Sequence, residues 1–184
     1  MALRRKTGLP VYGMLPVPEI IYRLADEADL PAVVGMYEKL DRYFRSLSYR
    51  FPEVENVGQL WLDSFRRTLG RFSVLHVAQR QDSLLGFVLG RVKRVAPYLG
   101  GVMVGELSDI WVEPEARRLR AGERLAHLNF EWLKAQGVHS VEVQILEGNL
   151  ASQTFFRSLG LKPELSLYRL TWEDSNEQGI GGRE

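Results

Sequence analysis

Between Trp111 and Leu125 the sequence reads WVEPEARRLRAGERL, which sets Arg117, Arg118, Arg120 and Arg124 around a single glycine, Gly122, with Lys134 a little beyond. The chain passes here from a strand-like run into a helix-like one. A helix N-terminus carries unpaired backbone N–H groups and the positive end of the helix dipole, so it attracts anions. A pyrophosphate suits such a place, because glycine lets backbone approach closely and guanidinium groups reach phosphate oxygens. The same residues also suit an exposed basic helix start, and on composition alone both readings are open.

Other chemistries are excluded or weakened by what surrounds this turn. The chain has no cysteine, which removes disulfides, thiolate zinc sites and any covalent thiol intermediate. His76, His127 and His139 lie on a strand, a helix and a strand start without metal-ligand spacing, so they read as structural or surface residues and no metal is expected. With 24 Lys+Arg against 23 Asp+Glu the formal net charge is +1, which argues against bulk nucleic-acid or polybasic membrane binding. The positive charge of the turn is a local feature.

The elements that must position this turn follow from hydrophobic period. The 184 residues, 45% hydrophobic and 26% charged, predict one domain spanning 19–173. An irregular arm at 1–18, interrupted by Pro10, Gly13, Pro16 and Pro18, precedes it, and a tail at 174–184 follows. No signal-peptide core or membrane span is present, so a cytoplasmic location is expected. EIIYRLA (19–25) reads as a strand. Helical spacing then runs from Leu30 to Leu47, and a second helix is opened by Asn56 and stopped by Gly70. FSVLHVAQR and LLGFVLGRVKRV read as a hairpin, and VGELSDIWV (104–112) as a third strand of that run. A helix ending at Gly137 follows the arginine turn. VHSVEVQIL reads as the next strand, NLASQTFFRSLG as a short helix from Asn149 to Gly160, and LSLYRLTWE as a last strand. The order predicts an α/β fold: a mixed β-sheet with helices on both faces and a parallel crossover between residues 104 and 146.

ELSDIWVEPEARRLRAGERL, followed after one helix and one strand by NLASQTFFRSLG, resembles the GNAT superfamily of acyl-coenzyme A-dependent N-acetyltransferases. The resemblance extends from about residue 20 to 172 and is strongest between Glu106 and Leu161. It implies six to seven strands with splayed central parallel strands. The family turn reads Gln or Arg, two residues, Gly, one residue, then Gly or Ala. Here that register gives Arg117, Arg118, Leu119, Arg120, Ala121 and Gly122, followed by Glu123, so the ends match and the middle glycine is replaced by Arg120. The resemblance implies that this turn binds the cofactor pyrophosphate through backbone N–H groups. The backbone of Ile110, Trp111 and Val112 should pair with the pantetheine arm as an added strand, with Asn149 bonding it from the other side and Ser152 and Phe156 lining it. Asn149 also reads as a plain helix N-cap, a role it can fill at the same time.

The implied chemistry is acyl transfer to an amine. An acceptor with a lysine-like pKa of ~10.4 is neutral in roughly one molecule in a few thousand at pH 7, a deficit of about 4.6 kcal/mol. A base is needed. Glu106, Asp109 and Glu142 are the candidates, and Glu106 stands first because its place six residues before Val112 resembles that of a catalytic glutamate in several family members. Gln144 stands where some protein N-terminal acetyltransferases carry a glutamate, which argues against that subgroup. Many members carry a tyrosine acid at the position of Phe156, and that hydroxyl is absent here.

The sequence therefore predicts an acetyl-CoA-dependent N-acetyltransferase, with acetyl-CoA as co-substrate and catalytic residues Glu106 and Asp109. The amine would attack the thioester directly in a ternary complex. The expected partner is a small-molecule or peptide amine acceptor, met by the loops SLSYRFPEVE and RVAPYLGG. No nucleic acid and no membrane is expected, and a homodimer is allowed. Arg120 and Phe156 motivate the alternative: an acyl-CoA-binding sensor or scaffold, weak or inactive in catalysis.

Overall fold

A computed structural model describes residues 19–47 and 49–172. The expected arm at 1–18 and tail at 174–184 lie outside these residues. A five-stranded sheet runs in the order β1 (Ile21–Leu24), β2 (Ser73–Arg80), β3 (Ser83–Arg94), β4 (Met103–Val112) and β5 (Ser140–Glu142). The first four strands pair antiparallel, and β5 joins β4 in parallel, as a strand–helix–strand crossover requires. Among the described residues no helix is long and apolar enough to cross a membrane.

Helices α1 (Leu30–Ser46) and α2 (Val57–Arg66) cover one face of the sheet; α4 (Ala121–Ala135) and α5 (Leu150–Ser158) cover the other. Each helix presents an apolar stripe, and each face accordingly has its own core. Val33, Leu40, Trp61 and Phe65 meet Leu75, Val77, Phe87 and Leu89 on the first face. Leu125, Ala126 and Phe156 meet Ala78, Val88 and Leu107 on the second. Tyr37 of α1 stacks on Trp61 of α2 with ring centroids 4.2 Å apart, locking the pair of helices together. The entry to α1 is fixed by Arg23 of β1, whose guanidinium donates to both oxygens of the buried Asp29 at 2.5 and 2.8 Å.

Several sequence expectations are corrected. The strand expected in LSLYRLTWE is not formed by residues 165–172, so among the described residues the sheet has five strands rather than six or seven. VHSVEVQIL pairs only over Ser140–Glu142, because β4 bends away beyond that point. Asn56 occupies the N-cap position of α2 in a left-handed conformation (φ 56°) without a side-chain cap, and α2 ends at Arg66, before Gly70. A four-residue helix, α3 (Pro114–Arg117), precedes the arginine turn and was not read from period, being shorter than two turns. Gly137 and Gly160 do adopt the positive φ expected of helix stops.

One close approach sets the distance between α4 and the sheet. Gly90 on β3 faces Asn129 of α4, and a Cβ at Gly90 would collide with the Asn129 side-chain amide. Asn129 is fully buried, and among the described residues both its polar side-chain atoms lack a hydrogen-bond partner. Gly90→Ala should therefore lower stability by about 1–3 kcal/mol, the usual cost of overpacking. In thermal unfolding, adding Asn129→Ala should return most of that loss, since the two side chains compete for one space.

Candidate active site

Strands β4 and β5 hold each other over three pairs, Val104–Ser140, Gly105–Val141 and Glu106–Glu142, and then part. The last pair sets two carboxylates at the apex of a fork. Lys93 of β3 serves both, with Nζ 2.5 Å from Glu142 Oε1 and 3.3 Å from Glu106 Oε1. Burial pulls the pKa of Lys93 down, but the hydrogen bond with Glu142 and the charge of Glu106 outweigh it, so the ammonium is held above its ordinary value. The second oxygen of Glu106 accepts a long hydrogen bond from Ser108 Oγ at 3.4 Å.

The fork opens where β4 carries an extra residue. Register along β3 passes from Leu89–Asp109 to Gly90–Leu107, which leaves Ser108 unpaired in a β-bulge two residues past the last β5 pair. A bulge bends its strand and breaks the alternation of faces. Strict alternation would put Glu106 and Asp109 on opposite faces. The bulge brings both to the α1/α2 face, where Trp61 Nε1 of α2 donates to Asp109 Oδ2 at 3.0 Å. Asp109 is half-buried, and its pKa is pushed up to about 6, chiefly by burial; the Trp61 hydrogen bond and Arg91 oppose the rise, while the Glu106 charge adds to it. Two of the expected bases thus stand on one face, and Glu142 joins them through Lys93.

Beyond the bulge, Ile110, Trp111 and Val112 have β3 on one side and no strand on the other, so the backbone edge expected to receive an added strand is free of strand partners. At the open end Arg117 Nε donates to Val112 O at 3.0 Å and its guanidinium lies 5.0 Å from the Trp111 ring centroid, so this arginine finishes β4. Arg120 adopts the left-handed conformation (φ 58°) immediately before α4, at the position where the turn pattern has glycine. Its side chain turns outward and pairs with Glu123 at 2.5 and 2.6 Å. Gly122 needs no positive φ. A Cβ there would stand 3.5 Å from Val112 and 3.6 Å from Phe155, in the gap between the end of β4 and α5. Close approach is thus a matter of space at Gly122 and of conformation at Arg120. Arg118 and Arg124 are exposed and, among the described residues, enter no ion pair; Leu119 is exposed and Ala121 buried.

Asn149 caps α5: its Oδ1 accepts from Ser152 N at 3.0 Å and from the Tyr43 hydroxyl at 3.3 Å. Phe156 is buried in the core under the fork, edge-on to Phe155. Helix α1 spans the two arms, since Lys39 reaches Glu113 at the end of β4 (2.6 Å) while Tyr43 reaches Asn149 at the start of α5. Lys93, Tyr43 and Trp61 were not found from sequence. Only Lys93 left a usable trace, its place on the hairpin strand beside β4. His76 is buried on β2, which lowers its pKa, while His127 and His139 are exposed elsewhere.

The loop between α1 and α2 is pinned beside this face. Arg45 bonds Asp41 at 2.7 Å and donates to Phe51 O at 3.2 Å. Tyr49 packs edge-on against Phe51.

The elevated pKa of Asp109 has a measurable consequence. Because the folded pKa exceeds the ordinary 3.8, the folded state binds the proton more tightly, and stability falls as pH rises from about 4 through about 6. Asp109→Asn keeps an acceptor for Trp61 and removes the buried charge. The variant should exceed the wild type by about 3 kcal/mol above pH 6, the free-energy equivalent of that pKa difference. Denaturant titrations across pH should show the gap closing by about pH 4; a gap independent of pH would contradict the assignment.

Comparison with known proteins bears on the family and the fold. The model of the Acetyltransferase (GNAT) family matches residues 32–161. An "Uncharacterized N-acetyltransferase YobR" of Bacillus subtilis (strain 168) is 27% identical over 151 residues; the match covers 69% of this chain and 61% of YobR, so the chain spans about three fifths of that relative's length. A Trypanosoma brucei acetyltransferase superposes with a TM-score of 0.61 at 22% identity, covering 83% of this chain and 99% of that one. AAC(6')-Iy, in complex with a bisubstrate analogue of coenzyme A and acetylneamine, superposes with a TM-score of 0.65 at 15% identity, covering 83% and 99%. These two structures share the fold. With the family match extending over most of the chain and over the whole fork, the protein belongs to the GNAT acetyltransferase family.

Proposed function

We propose that the protein transfers an acetyl group from acetyl-CoA to a primary amine by direct attack within a ternary complex. The observation that carries this reading is the fork: an unpaired length of β4 that runs from a carboxylate cluster to the N-terminus of a four-turn helix. The residues present fit acetyl-CoA as a co-substrate. The pantetheine arm would add to the free edge of Ile110, Trp111 and Val112, with Asn149 across the gap. Its pyrophosphate would meet the N–H groups of Ala121, Gly122 and Glu123, which have no acceptor within the helix. Arg118 and Arg124 are the cations left for phosphate. The complex of AAC(6')-Iy with a coenzyme A bisubstrate analogue supports a co-substrate of this kind in this fold.

Glu106 is the proposed base. Both carboxylates are half-buried, but Glu106 already holds an ammonium, that of Lys93, whereas Asp109 is bonded to the Trp61 indole, so Glu106 is the one set up to receive an amine. An incoming ammonium would take over the contacts that Lys93 makes with Glu106 and Glu142, then lose its proton to Glu106 and attack the thioester carbon. The C–S bond breaks and the thiolate leaves. A thiol of pKa near ~8.5 departs without a strong acid, which makes the absence of a hydroxyl at Phe156 survivable. As the amide forms its nitrogen sheds a second proton, which the Tyr43 hydroxyl beside Asn149 would relay to the sulfur, so that one proton leaves on Glu106 and the other on the thiol. The pKa of Asp109, near 6, favours a second reading in which that carboxylate is the base.

The test is coenzyme A release across a panel of amines, amino acids, aminoglycosides and peptides. Glu106→Gln should lower kcat by ~10²-fold or more with acetyl-CoA affinity kept. If Asp109 is the base instead, Glu106→Gln will retain turnover and Asp109→Asn will abolish the loss of rate below about pH 6. Gly122→Val should fill the gap between Val112 and Phe155 and weaken acetyl-CoA binding in calorimetry with the fold intact. Binding without turnover of any acceptor would replace the enzyme reading by that of an acyl-CoA sensor.

A further inference from the structure

The apex of the fork already contains an amine. Lys93 Nζ stands 2.5 Å from Glu142 Oε1 and 3.3 Å from Glu106 Oε1, which are the contacts an acceptor ammonium would take over in the reaction proposed above. Its backbone is fixed, because Lys93 pairs with Val104 in the β3–β4 ladder two pairs along from Arg91–Glu106. Its side chain is 40% exposed, so the ammonium is delivered to Glu106 by a rigid strand yet keeps the freedom of four methylenes. No other described lysine has this setting. Lys39 is paired with Glu113 at the far end of β4, and Lys134 and Lys162 are exposed and enter no ion pair among the described residues.

We propose that Lys93 is itself an acetyl acceptor, modified by acetyl-CoA bound to the same chain when no amine substrate occupies the apex. The inference rests on the acyl-transfer reading, since the thioester must reach the fork. If Glu106 is the base, the thioester carbon lies within reach of any amine that Glu106 deprotonates, and Lys93 is such an amine. Glu106 takes one proton from the Lys93 ammonium, and the freed Nζ attacks the thioester carbon. The C–S bond breaks as the C–N bond forms, the nitrogen sheds a second proton to the departing thiolate, and the proton on Glu106 passes to solvent. The products are an N-acetyl lysine and coenzyme A. Amine and base are held in one chain, so no second encounter is needed. The proton of Lys93 is held above its ordinary pKa, which makes self-transfer a slow reaction that an acceptor at the apex outruns.

The modification changes the site it occurs in. Acetylation turns the ammonium into a neutral amide, so Glu106 and Glu142, neighbours across the last β4–β5 pair, lose the cation they share. Two carboxylates without a cation between them hold a proton more tightly. The next acceptor then meets a more basic pair and no competing lysine. Acetylated Lys93 thus marks protein that has held acetyl-CoA in the absence of an acceptor.

The test is incubation of the full chain with acetyl-CoA in an amine-free buffer, followed by peptide mass spectrometry with a protease that does not cut at lysine. Acetyl-CoA affinity is measured alongside by calorimetry. Label should appear first at Lys93, with a first-order rate constant that is unchanged when the protein is diluted. Glu106→Gln should slow it by ~10²-fold or more with affinity kept. Lys93→Arg should end the rapid labelling without transferring it to Lys39. The proposal is overturned if acetyl-CoA binds and Lys93 stays unlabelled, or if Lys39, Lys134 and Lys162 are labelled as fast as Lys93. It is equally overturned if the rate constant rises with protein concentration, which would mean transfer between copies, or if Glu106→Gln is labelled as fast as the wild type. Failure to bind acetyl-CoA would instead sink the acyl-transfer reading, and this inference with it.

Discussion

Parallel strands that stop pairing leave backbone N–H and C=O groups facing a gap, and buried polar groups without partners are costly. The separation of β4 from β5 after Glu106 is such a case, and the arrangement around it follows from holding the gap open. The bulge at Ser108 bends β4 aside. Helix α1 braces both arms at once, through Lys39 to Glu113 and Tyr43 to Asn149, so neither arm can swing across to close the ladder. The buried aromatic stack of Tyr37 on Trp61 fixes α1 and α2 in turn. The unpaired backbone is thereby kept for a ligand instead of being consumed by the sheet.

The electrostatics of the fork runs from negative at the apex to positive at the mouth. At the apex Glu106 and Glu142 share one ammonium, that of Lys93, and Asp109 stands on the same face with the Arg91 guanidinium near it, so three carboxylates meet two cations there. At the mouth the start of α4 adds its dipole to the guanidinium groups of Arg118 and Arg124. The proposed co-substrate, with phosphates at one end and a neutral thioester at the other, would be oriented by that gradient. The proposed amine acceptor, arriving as an ammonium, would be drawn to the opposite end.

Much of this was legible where local chemistry decides. The arginine turn, the helix that follows it, the stop at Gly137 and the Asn149 cap are set by residues within a few positions of one another, and each appears where its signal stands. What escaped depends on relations between distant strands. Glu106 and Asp109 look like opposite faces until an extra residue enters the register with β3, and nothing in ELSDIW marks Ser108 as that residue. Lys93 and Trp61 join the carboxylates only once the hairpin and α2 are packed. The LSLYRLTWE run has strand composition, yet composition does not name a partner strand, and among the described residues 165–172 join no strand.

Arg120 shows how a departure from a family pattern can preserve what the pattern is for. The left-handed backbone before α4 is a conformation that glycine adopts freely and that costs another residue roughly 1–2 kcal/mol. Arg120 adopts it nonetheless, with its side chain drawn outward to Glu123 by a two-point ion pair. The pair is exposed, so it offsets little of the cost. Its effect is directional: the long side chain is kept off the N–H groups of the helix start. The turn therefore retains the backbone conformation of a glycine turn, and the penalty falls on stability and not on access to the proposed anion site.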